Sequence, residues 1–186
     1  MSGGKPMIDY VTLLLINMSS ALVVLAAFLW WGLDRPDNRN WAPAFGISGL
    51  VATVAGLAMV FTWPIPAPFS SAYGEMSVLF GVLFLGAAWA LAAGWRLLPL
   101  GYYAILPGLT AILLGIRIIH LSLTPSPLMP GLGFILTGLS GVGTVAVLRR
   151  PDIRGLRIAG ILVVLAALGI WLLTAFPAYW LHMKPS

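Results

Sequence analysis

Between Asp9 and Asp34 the chain carries no charged residue. That apolar run is long enough to cross a bilayer, because about 20 helical residues span a hydrocarbon core roughly 30 Å thick. The same pattern recurs along the sequence, and six membrane-spanning helices are predicted near 9–33, 42–63, 74–95, 102–123, 130–148 and 156–181. Their separators, DRPDNRN, PIPAPFSS, RLLPLG, TPSPLM and RRPDIRG, are short and rich in turn formers. No soluble domain fits between them, so residues 1–186 are expected to form one all-α domain, multi-pass in the cell membrane.

Composition excludes the alternatives. With 60% hydrophobic and 8% charged residues, a water-soluble fold would have to wear an apolar surface. A β-barrel is disfavoured because its strands alternate in polarity over about 10 residues, whereas these runs are continuous. Lys5 ahead of the first run is reminiscent of a signal peptide, but the run exceeds the usual apolar segment of about 7–15 residues, and it is expected to be retained as a helix. The absence of Cys removes disulfides and thiolate metal sites.

Orientation follows from the basic residues, since short basic connections resist translocation. Arg35, Arg39, Arg96, Arg149, Arg150, Arg154 and Arg157 fall in or beside the first, third and fifth connections, against Lys5 and Lys184 on the other side. Both termini are therefore expected outside, with the net charge of +5 gathered at a cytoplasmic rim that meets anionic headgroups of the lipid bilayer. Nucleic acid is not an expected partner for so few charges held against a membrane.

Arg117 stands out because it lies inside the apolar run Tyr102 to Leu123. A charged Arg near the centre of a membrane helix costs about 2.5–3.5 kcal/mol on insertion scales, so it is expected to face the bundle and find an acceptor. By this topology Asp9, Glu75 and His120 all fall on the outer side, and Arg117 shares a helix face with His120 three residues away. The expected site is a polar cluster in which Arg117 pairs with Glu75, with His120 and Asp9 around them. It would lie under the connection FTWPIPAPFSSAYGEM, where Trp63, Phe69 and Tyr73 anchor at headgroup level and Pro64, Pro66 and Pro68 stiffen the backbone. Ser70 or Ser71 would cap the third helix and place Glu75 near its first turn. In the competing reading, Arg117 snorkels to phosphate and His120 is an interfacial residue, with no site.

Gly133, Thr137 and Gly141 recur every four residues on the fifth helix and make a face small enough for close backbone approach. Packing within the chain is the expected use, and a groove for a partner helix or a flat pigment is the sharper alternative.

The tryptophan-proline loop from Trp63 to Tyr73, the pair Gly74-Glu75, the run SVLFGVLFLG, and then LTPSPLM and TGLSGVG together resemble a family of small prokaryotic integral membrane proteins known as a domain of unknown function. The resemblance covers nearly the whole chain and implies a multi-helix membrane fold. It implies no activity.

Redox and metal chemistries find little support. His120 and His182 are the two histidines, the number a bis-His haem b needs, but His182 lies beyond Trp180 at the end of the last helix. A copper site from His120, His182, Met183 and Met76 has suitable donors without a recognisable spacing. Phosphate loops, zinc-protease helices and nucleophile elbows are absent, so neither an enzyme nor a cofactor is expected. The expected function is a non-catalytic accessory or assembly subunit of a larger membrane complex, energy-converting complexes included, with other membrane subunits as partners. A haem-binding or quinone-linked electron carrier is one alternative. A small-molecule or ion transporter is another, disfavoured because transporters place broken helices and charges near the midplane.

Overall fold

A backbone in lipid must satisfy its own N–H and C=O groups, so each long apolar run becomes a helix. The computed structural model describes residues 10–64, 69–124 and 126–182. Its helices are α1 Tyr10–Ala27, α2 Ala42–Thr62, α3 Phe69–Ala93, α4 Leu98–His120, α5 Leu128–Arg149 and α6 Arg154–His182. No strand occurs among the described residues, and six helical segments are long and apolar enough to cross a membrane.

Three boundaries carry information. First, α4 begins at Leu98, ahead of the expected 102, because Pro99 sits in its first turn, where a missing N–H costs nothing. Second, α3 begins at Phe69, so Ser70 lies fully buried inside the helix instead of ahead of it, and Glu75 falls in the second turn. Trp63 ends α2 in the left-handed region at φ 47°, its N–H donating to the Met59 carbonyl at 3.1 Å. Pro66 and Pro68 lie outside the described residues.

The third boundary is inside the first span. After α1 the chain makes a π-helical turn over Phe28–Gly32, in which the Leu33 N–H donates to the Phe28 carbonyl at 2.9 Å. A three-residue 3₁₀ turn, Arg39–Trp41, then leads into α2.

The bundle is built from two tight hairpins around a central pair. Helix α2 packs chiefly on α3 and α4 chiefly on α5, while α1 and α6 pack on each other and connect to α2 and α5 respectively. Each hairpin is zipped by glycines seven residues apart. A Cβ at Gly49 would come 2.8 Å from the Gly81 carbonyl oxygen, and one at Gly56 would come 2.9 Å from that of Gly74. In the α4–α5 hairpin the approach is closer: Gly138 to the Gly108 oxygen and Gly115 to the Gly131 oxygen each leave 2.4 Å for a Cβ. In lipid, where burial of apolar surface drives little association, such backbone approach is what holds helices together.

The main core cluster gathers side chains from the first span, α3, α4, α5 and α6. Trp171 is buried against Phe134, ring centroids 5.3 Å apart and edge to face. Its indole N–H donates to the Thr137 hydroxyl at 2.9 Å. Gly133 leaves room for the indole, since a Cβ there would come 2.8 Å from it. On the other side of the bundle, the buried Asn17 amide donates to the Ser48 carbonyl of α2 at 2.9 Å. Both arrangements supply the partner that a buried donor requires.

Candidate functional site

Among the described residues, those expected to form an outer polar cluster are not joined by an ion pair. Arg117, His120 and Glu75 are all exposed, and among the described residues Arg117 and Glu75 form no ion pair. The ion pairs present lie at the opposite, arginine-rich end, Arg157 with Asp34 and Arg150 with Asp152 at 3.5 Å. Tyr73 turns inward to pack on Phe134, ring centroids 5.3 Å apart. Asp9 and Met183 lie outside the described residues, and His182 is the last residue of α6. Among the described residues no group of three or more His, Cys, Asp or Glu is placed to hold a metal.

Helix α5 uses its small residues inside the chain. Gly133 and Thr137 receive Trp171 of α6, while Gly141 faces Ala104 and Gly108 of α4, where a Cβ would come 3.3 Å from the Ala104 carbonyl oxygen.

An apolar opening lies elsewhere, in the half of the bundle next to the arginines. A cavity of about 340 Å³ lies there, walled by Leu25 and Phe28 from the first span, Phe80 and Phe84 from α3, Leu100 from α4, Thr144 from α5 and Val164 from α6. Two features open it. Helices α3 and α4 meet only lightly although they are consecutive. Gly143 also faces the space without a side chain, and a Cβ there would meet nothing within 4 Å. The hydroxyls on its wall are already engaged: Ser140 donates to the Leu136 carbonyl at 2.9 Å and Thr144 to the Ser140 carbonyl at 2.7 Å. The volume is at the lower end of the roughly 300–1,000 Å³ typical of small-molecule sites.

Directly above it, toward the arginine-rich end, lies a second space of about 630 Å³ with a different chemistry. Asp37, Asn38 and Arg39 from the first connection and Trp95 and Arg96 from the third line it. The two cavities share Phe28, Leu97 and Leu148 as a common wall. Phe28 is only 2% exposed and sits edge-on to Trp41 and Phe45, at centroid distances of 5.8 and 5.4 Å. The π turn that follows it brings Gly32 under its ring, where a Cβ would come 2.5 Å from Phe28. Arg39 lies beside Gly94, which takes φ +72° to end the turn after α3. The Asn38 Oδ1 is buried with no hydrogen-bond partner.

Reading the sequence one helix at a time misses this site. Its apolar walls are ordinary core residues, and Arg39 and Arg96 enter a sequence reading only as charges that set orientation. The signal that remains is Gly143, a glycine on α5 outside both the Gly131–Gly138 seam and the Gly133–Gly141 face.

No curated protein and no solved structure matches the chain. A family model does match, across residues 5–185, and this six-span bundle therefore belongs to the family described as Protein of unknown function (DUF981).

Proposed function

We propose that the chain is a non-catalytic integral membrane protein that holds a long apolar molecule within its bundle, as an accessory or assembly subunit of a larger membrane complex in the cell membrane. The apolar cavity of about 340 Å³ carries this reading. Its wall supports binding over catalysis, because the Ser140 and Thr144 hydroxyls donate to main-chain carbonyls and Thr137 accepts from Trp171. Among the described residues that line it, there is no acid or base, and these hydroxyls are engaged within the protein. A partner subunit would receive or supply the molecule through the gap between α3 and α4.

The test is recovery of the ligand. Purified in mild detergent and extracted with organic solvent, the protein should release an apolar-chain compound in a fixed ratio, visible by mass spectrometry. Gly143→Leu fills the cavity at a position where a Cβ meets no neighbour, and should abolish that recovery while the protein still folds. Equal recovery from the variant would remove the cavity from consideration. An extracted quinone, with its absorption band, would turn the reading to a quinone-linked electron carrier.

A further inference from the structure

We infer that the molecule held is an anionic membrane lipid, bound with its headgroup among Arg39, Arg96 and Asn38 and its chain below Phe28 in the apolar cavity. This rests on the reading of the cavity as a binding site and names its ligand class.

The upper space is chemically the converse of the lower one. Arg39 and Arg96 line it, and neither forms an ion pair among the described residues. Two of the nearby carboxylates are already engaged, Asp34 by Arg157 and Asp152 by Arg150. Asp37, which also lines the space, accepts the Arg39 backbone N–H at 3.0 Å. Two guanidinium groups against one carboxylate leave the space net positive and suited to a phosphate, which arginine binds through paired N–H donors. The buried Asn38 Oδ1 has no donor opposite it and would accept a hydroxyl, such as that of a glycerol or sugar headgroup.

Adjacency selects a lipid over a free anion, since the two spaces meet across the shared wall of Phe28, Leu97 and Leu148. A soluble phosphate would use the upper space and leave the apolar one idle, whereas a lipid uses both, in the order in which a leaflet presents head and chain. Trp89 and Trp95, tilted against each other with ring centroids 5.8 Å apart and both exposed near this level, have the placement of residues that fix headgroup depth. Phe28, the buried side chain shared by both walls, would have to turn aside for the glycerol backbone to pass.

The experiment is native mass spectrometry of the full chain, titrated with phosphatidylglycerol and with phosphatidylcholine of identical acyl chains. Both lipids offer a phosphate, but in phosphatidylcholine the choline ammonium cancels its charge, so phosphatidylglycerol should bind about tenfold more tightly beside two arginines. Arg39→Gln with Arg96→Gln should bring phosphatidylglycerol down to the level of phosphatidylcholine, whose own binding weakens less, while Arg39→Lys with Arg96→Lys should retain most of the preference. Both arginines are exposed, so these variants should fold, and an unchanged melting temperature checks it. Persistence of the preference in the double Gln variant would overturn the headgroup assignment and leave the apolar site standing. Displacement of phosphatidylglycerol by inorganic phosphate would overturn it in favour of a free anion. If Gly143→Leu left both lipids bound, the cavity reading itself would fail.

Discussion

Arg117 shows how much depends on the rotational phase of a single residue. Gly101, Gly108 and Gly115 turn one face of α4 onto α5. At 3.6 residues per turn, Arg117 lies about 200° around the helix from Gly115, on the stripe where Leu106, Leu113 and Ile116 are exposed. A lipid-facing arginine relieves its cost by extending its stem to headgroups, here at the end opposite the arginine-rich rim. Unfolding in detergent should therefore find Arg117→Leu and Glu75→Gln additive within about 0.5 kcal/mol. Neither should approach the roughly 3–5 kcal/mol of a broken buried ion pair. A larger coupling would restore the paired cluster. The depth of Arg117 is legible from sequence, since the apolar run around it sets that. Its facing is not, because α4 is apolar on nearly every side and leaves no polar stripe from which to read phase.

At the scale of elements, the glycines of α5 serve three distinct contacts that a single-helix reading merges. The repeat of four, Gly133 to Gly141, is visible in the sequence, and the structure puts it against Trp171 and α4. The repeat of seven, Gly131 and Gly138, closes the hairpin only because Gly115 and Gly108 occupy matching positions across from it. That match is a property of two helices and is invisible in either alone. Gly138→Ala should cost about 1–3 kcal/mol, as overpacking does, because the new methyl group meets the Gly108 carbonyl oxygen and the Ile112 backbone N as well as the Ile112 side chain, and the backbone atoms cannot turn aside. Gly169→Ala, where a Cβ has open space, should be neutral within about 0.5 kcal/mol or slightly stabilising. Thermal unfolding of the two variants in the same detergent compares them, and equal losses would mean that the seam is not what holds the hairpin. The π turn at Phe28–Gly32 escapes sequence reading for a related reason. Its i+5 hydrogen bond is backbone geometry within an uninterrupted apolar run, FLWWG, with no residue type reserved for it.

Across the whole molecule, the pattern most fully legible in the sequence is the alternation of runs and short connections, which marks six spans and gathers every arginine but Arg117 at one end. The cavity beside those arginines is not legible, because a void is defined by what several helices fail to fill. The two meet in orientation. An even number of spans puts both termini on one side, and the basic end is expected to face the cytoplasm, where anionic lipid makes the membrane surface negative. The lipid site would then open to the inner leaflet. The chain has no native Cys, so single cysteines report without background. Asn40→Cys, exposed in the first connection, should resist a membrane-impermeant thiol reagent in intact cells and react once they are permeabilised. Ser126→Cys, exposed in the fourth connection at the other end, should react in intact cells. The reverse labelling would invert the protein and put the arginine-lined mouth in the outer leaflet. The lipid site would keep its local chemistry in that case, but its headgroup would have to come from lipids outside the negative inner surface.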